Sequence, residues 1–120
     1  MIATELTRLI DACRSAHEIG TDVDAVRRER LTREESDLLT AASVQGRFSY
    51  IHPDNAEWGW IRADRKDFNA PSDASYAARY REAFVRLCRR GYVSHTGGVL
   101  FELTPAGWER ARSQARDVAL

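Results

Sequence analysis

Cys13 and His17 stand four residues apart, a spacing that places two side chains on one face of a helix and makes a thiolate–imidazole pair conceivable. Both also fall on the apolar stripe Ile2, Leu6, Leu9, Ile10, Cys13 and His17, where a buried thiol beside a satisfied imidazole is the plainer reading. The other cysteine, Cys88, and the other histidines, His52 and His95, lie in separate segments, and no Cys/His group has metal-ligand spacing. Nucleophile-elbow, P-loop, zinc-protease and dinucleotide-binding motifs are all missing. Glu34, Glu35 and Asp37 crowd the start of one helical segment, where carboxylates favour the N-terminal end of the dipole without any part in a reaction. The expectation is a protein that is not an enzyme, with no catalytic residue, metal or cofactor and no small-molecule substrate in evidence.

Two other groups of residues suit contact with a macromolecule. Arg79, Arg86 and Arg90 fall near one face of a predicted helix with Arg89 beside them, as a helix touching phosphates would require. Glu82 lies inside that stripe, where it would repel phosphate and could pair with Arg86 or Arg79 instead. Phe48, Tyr50, Trp58 and Trp60 crowd a second short segment. Aromatic side chains there either fill a core or, if exposed, anchor a partner. Tyr50, Trp58 and Trp60 are the candidate protein-binding residues; Arg79, Arg86, Arg89 and Arg90 are the alternative, nucleic-acid-binding set.

Charge weighs between them. Eighteen basic and eighteen acidic residues cancel, whereas a chain that grips nucleic acid draws its affinity from a basic surplus. The distribution is uneven: residues 1–60 carry a net −4 and residues 61–95 a net +4. All the basic residues but Lys66 are arginine, which reads as a codon bias.

These residues need elements to hold them. The 120 residues suffice for one domain with its own core, 43% of them hydrophobic and 30% charged. The apolar stripe predicts a first helix over residues 3–18, and residues 21–30 read as a charged loop or short helical turn. Thr32 followed by Glu35 is a capping-box pattern that opens a second helix ended by Gly46. Residues 47–52 and 58–63 read as a hairpin, with Phe48 and Tyr50, and Trp58 and Trp60, sharing side-chain parity on their respective strands. Residues 64–72 read as a loop anchored by Phe68. Ser72 or Asp73 then caps a long helix to Arg90, closed by Gly91. Residues 92–95 and 99–103 flank a Thr96-Gly97-Gly98 turn, and Thr104-Pro105 starts a last helix. The tip Ser94-His95-Thr96-Gly97-Gly98 carries neither Arg nor Lys.

The stretch from Tyr76 to Ala111 resembles the C-terminal half of a winged-helix domain. The residues that carry the likeness are Leu87-Cys88-Arg89-Arg90-Gly91-Tyr92-Val93, the turn Thr96-Gly97-Gly98, and Phe101-Glu102-Leu103-Thr104-Pro105-Ala106-Gly107. Residues 31–111 more broadly resemble the accessory winged-helix-like module of bacterial conflict and defence proteins, through Leu31 to Leu39, Gly46, Gly59, Ile61, Phe68, the 76–90 helix, Phe101 and Leu103. The resemblance implies a module without chemistry of its own. It departs from the family where a DNA-binding member has a second helix before the recognition helix; here a hairpin and a loop occupy that place.

The sequence thus predicts an α+β, winged-helix-like fold of order α-α-ββ-α-ββ-α in a single compact domain, residues 1–120. Residues 1–30 form the N-terminal helix and connector, and residues 31–116 the core. Its expected role is non-catalytic binding of a macromolecule in a bacterial or phage regulatory or defence setting, a partner protein before DNA, with a DNA-binding regulator as the alternative. The first helix could pack on the core or form a homodimer interface. No membrane-spanning run or signal-peptide pattern is present, so the expected location is the cytoplasm.

Overall fold

The computed structural model describes residues 2–18 and 30–119, with side chains from 4–14 and 30–114. Among these residues the chain forms four helices and one five-stranded antiparallel sheet round a shared core: α1 (Ile2–Glu18), α2 (Arg33–Ala41), β1 (Arg47–Ile51), β2 (Trp60–Ala63), β3 (Lys66–Phe68), α3 (Ala74–Arg89), β4 (Val93–Gly97), β5 (Leu100–Leu103) and α4 (Pro105–Ala119). The strands lie in the order β3-β2-β1-β5-β4. The 21–30 connector falls almost wholly outside the described residues.

Local chemistry sets most boundaries. At α2, Thr32 Oγ1 accepts from the Glu35 backbone N–H at 3.2 Å, and Glu35 Oε1 accepts from the Thr32 N–H at 3.1 Å, so the expected capping box forms. Asp73, not Ser72, caps α3, its carboxylate accepting from the N–H groups of Ser75 and Tyr76. The other end of α3 closes on Gly91 at φ +76°, where the Tyr92 N–H reaches Leu87 O and the Gly91 N–H reaches Cys88 O. The Thr104 hydroxyl then donates to Gly91 O at 2.7 Å and accepts from the Gly107 N–H at 3.1 Å. A Cβ on Gly107 would run into the Tyr92 carbonyl. The Leu-Thr-x-x-Gly run is therefore a clasp between the end of α3 and the start of α4.

One element departs from expectation. The 64–72 segment is not all loop: Lys66–Phe68 pairs with β2, with Phe68 opposite Ile61. Asp64, at φ +51°, makes the tight turn, and its carboxylate accepts from the backbone N–H groups of Val44, Gln45 and Arg47 at 2.8–3.1 Å. One side chain thus joins the exit of α2 to the β2–β3 turn.

The helices cover one face of the sheet. Phe48, Tyr50, Ile61, Ala63, Phe68, Val93, Phe101 and Leu103 point to that side and are buried. Phe84 of α3 sits at the centre, its ring 5.1 Å from both Phe48 and Phe101. Beneath the helices lies a carboxylate without access to water. Glu35 is 0% exposed, with Arg90 Nε 2.8 Å from its Oε2 and Arg86 Nε 3.4 Å from its Oε1. Arg90 is itself 4% exposed and also reaches Arg30 O at 3.3 Å. Glu35→Ala should cost ~3–5 kcal/mol, because it strands a buried guanidinium, and Glu35→Gln somewhat less, because it removes the same charge but keeps an acceptor oxygen for the Thr32 N–H. Urea unfolding of both variants checks this; equal, small losses would contradict it.

Tyr80 is 7% exposed and donates its hydroxyl to Asp37 Oδ2 at 2.6 Å. Burial first, and then the Asp37 acceptor, push its pKa well above the ordinary 10.0 of tyrosine. The folded chain therefore keeps a proton that the unfolded chain loses near pH 10. The stability this contributes is complete below that pH and is lost as pH rises beyond it. Tyr80→Phe should cost ~1–2 kcal/mol at neutral pH and flatten the alkaline loss of stability, as read from urea midpoints across the alkaline range.

Candidate functional site

The aromatic hairpin divides between the two faces of the sheet. Ile51 pairs with Trp60 and Tyr50 with Ile61, so the partners of the inward Phe48 and Tyr50 are Ala63 and Ile61. Trp60 therefore points the opposite way. Phe48 and Tyr50 thus share a face as expected, whereas Trp58 lies ahead of β2, off the strand on which the sequence reading puts it in parity with Trp60. An even number of residues, 52–59, separates the paired ends of the strands, and that evenness sends Trp60 outward. Tyr50 is 3% exposed, with burial first and the nearby Glu5 second raising its pKa. Of the three candidate protein-binding residues, Tyr50 thus lies inside, while Trp58 and Trp60 are half-buried at the surface.

The sheet's outer face carries Arg47, Ser49 and Ile51 of β1, Trp60 and Arg62 of β2, Asp67 of β3, Ser94 of β4, and Leu100 and Glu102 of β5. None of them is buried, and Leu100 is 53% exposed. Ile51 and Trp60, paired at one end of this face, and Leu100, in the next row opposite Ser49, give it a partly apolar character. Charge holds the rest: Arg62, in the same cross-strand row as Leu100, contacts Asp67 at 2.6 and 3.2 Å, and Arg47 stands opposite Glu102 at the far end. The Arg62 hydrogen bond is the main cause that holds the Asp67 carboxyl below its usual range. The Trp60 indole N–H, turned toward the same carboxylate without an aligned hydrogen bond, lowers it further.

Where β2 begins and β3 ends lies a cleft of about 270 Å³ walled by Trp58, Trp60, Ala56, Glu57, Asn69 and Pro71. Trp58 Nε1 donates to Asn69 Oδ1 at 2.8 Å, which fixes the indole. His52 secures the loop behind it, with ring nitrogens 3.2 Å from Tyr50 Oη and 3.1 Å from Ala56 O. A Cβ on Gly59, between the two tryptophans, would strike the Tyr50 hydroxyl. Asn69 and Pro71 could not be assigned to this site from sequence, since they join it only through the β2–β3 pairing and the connection that follows; Glu57 adjoins Trp58 in the chain but carries no motif of its own. A larger hollow of about 560 Å³ borders Asp64, but that carboxylate is already spent on three backbone N–H groups.

The structure separates the four candidate nucleic-acid arginines. Arg90 is buried on Glu35, and Arg86 reaches both Glu35 and Thr32. Arg79 is exposed and lies 5.8 Å above the Tyr76 ring, and Arg89 is exposed. Glu82 pairs with Arg8 of α1 rather than with Arg79 or Arg86. Helix α1 lies along α3, with Leu9, Ala12 and Cys13 buried, so its apolar stripe meets the core of its own chain. Cys13 contacts Cys88; burial is the first cause of the Cys88 thiol's raised pKa, and the Cys13 thiol the second. The side chain of His17, the proposed partner of Cys13, lies outside the described residues. His95 contacts Gly98 O at 2.9 Å and packs on Phe101. No group of three or more metal-ligating side chains occurs among the described residues, and none of the described helices is long and apolar enough to cross a membrane.

No protein-family model, curated protein or solved structure matches the chain. Its reading therefore rests on its own geometry. Tyr50→Ala should cost ~3–5 kcal/mol by opening a core cavity, whereas Trp60→Ala should cost about 1 kcal/mol. Urea unfolding separates the two, and similar losses would contradict the division of the hairpin between faces.

Proposed function

We propose that this protein is a non-catalytic, protein-binding module that meets its partner through the outer face of the sheet. The observation that carries this reading is the one-sided sheet: among the described residues its outer face is left uncovered, with Ile51 and Trp60 paired at one end, Leu100 in the next row beside Ser49, and Arg62–Asp67 and Arg47 opposite Glu102 around them. Large aromatic and aliphatic side chains ringed by polar groups are the usual anatomy of a binding surface. A winged-helix-like arrangement accords with the β1-β5-β4 order, with α2 ahead of β1 and α3 ahead of the β4–β5 hairpin. In this reading β2 and β3 stand where the family's second helix would be. The defence or regulatory setting is what the resemblance implies.

The alternative, DNA binding through α3, draws on Arg79 and Arg89, the two arginines of that set without a tie to Glu35. Against it, α1 lies along α3, and Arg86 and Arg90 are committed to a buried carboxylate. A recognition helix needs a free face to enter a groove.

Labelled random duplex DNA should show no salt-sensitive rise in fluorescence anisotropy with the purified protein. Micromolar binding that falls steeply with salt and disappears in Arg79→Glu/Arg89→Glu would overturn the proposal. The partner retained by the tagged protein should also be retained by that double variant and lost by Leu100→Asp, with all three melting alike. The reverse pattern would move the interface to α3.

A further inference from the structure

The Trp58–Trp60 cleft has a chemical bias that narrows what it can hold. Its walls are two indoles, Ala56 and Pro71, and the indoles offer faces of negative electrostatic potential. Its one charged wall is Glu57, which is exposed and has no ion-pair partner among the described residues. The cations nearby are neutralised. Arg62 is held by Asp67, and Arg81 spans Glu5 at 3.5 Å and the Gly59 carbonyl that lies between the two tryptophans. The uncompensated charge at the cleft is therefore negative. Anionic ligands are disfavoured by the carboxylate and the ring faces alike.

Size and rigidity narrow it further. About 270 Å³ is below the range of pockets that enclose a cofactor or drug-sized ligand, and it suits one long side chain. Trp58 is fixed by Asn69, so its ring surface is organised before anything binds. A planar guanidinium can stack on an indole while its fork of N–H donors meets a carboxylate side-on. An ammonium is a more strongly hydrated point charge and exploits only part of this arrangement.

We propose that the cleft between Trp58 and Trp60 receives an arginine side chain of the partner protein, stacked on indole and paired with Glu57. This rests on the reading of the outer face as a protein-binding surface and names the chemistry of the partner there.

The test uses the whole protein, ¹⁵N-labelled, and the indole N–H signals of its three tryptophans. The probe is a blocked Gly-Arg-Gly peptide, and the control is the same peptide with citrulline, a neutral isostere of arginine. The arginine peptide should shift the Trp58 and Trp60 signals with a Kd on the order of millimolar and leave Trp108 unmoved. The citrulline peptide should bind at least about tenfold more weakly, and Glu57→Gln should weaken the arginine peptide roughly fivefold. Glu57 is exposed, so that variant keeps the fold. No shift up to tens of millimolar, equal responses to arginine and citrulline, or a shift of Trp108 alone would overturn the proposal. Failure here while Leu100→Asp still releases the partner sinks the arginine site and spares the surface. Arginine binding with a Leu100→Asp variant that keeps its partner supports the site and sinks the wider surface.

Discussion

The carboxylate of Glu35 is the constraint from which much of the architecture follows. A charge removed from water is tolerated only where its partners are held in place. Here they come from the far end of another helix: Arg90 at 2.8 Å and Arg86 at 3.4 Å. The same carboxylate closes the capping box of α2. One side chain therefore starts a helix and locks the end of α3 against it. The end of α3 in turn sets Gly91 and, through the Thr104 clasp, the start of α4. Two arginines that a sequence reading offers to phosphate are consumed in the process. What looks like a basic stripe along a helix is in large part the counter-charge of a buried acid.

With the four described helices gathered on one side, the sheet is left half-covered among the described residues. Inward positions supply the aromatic core round Phe84, and outward positions are free of packing duties. Their composition is then informative, because solubility alone would favour charge at all of them. Arg47, Arg62, Asp67 and Glu102 meet that demand; Ile51, Trp60 and Leu100 do not. The proposed binding role depends on this contrast more than on any single residue.

Parts of this arrangement are legible in the chain and parts are not. Thr32 with Glu35, Gly91 after the long helix, and Thr104-Pro105 before the last one are local signals, each satisfied within a few residues, and each forms as its chemistry suggests. The third strand was not legible, because the turn at Asp64-Arg65 lacks glycine and is stabilised by N–H groups some twenty residues earlier. The side on which Trp60 emerges depends on the parity of one loop, which a loop estimated at about five residues cannot supply. The burial of Arg90 was hidden for a related reason: helical periodicity reports which face a residue occupies, not which distant acid waits there. Leu100 and Glu57 carry no motif at all. They matter only through what the fold leaves uncovered.

The sheet's two edges bear on how this surface can be used. At one edge β3 has only three residues, and at the other β4 loses its register between His95 and Gly97 with α1 close by. Neither offers a long, flat ladder of unpaired backbone groups to an incoming strand. Association by strand addition, the route that leads exposed β-sheets into open-ended fibrils, is thus discouraged at both ends. The molecule can therefore display its outer face broadside with little risk that its rims recruit further strands.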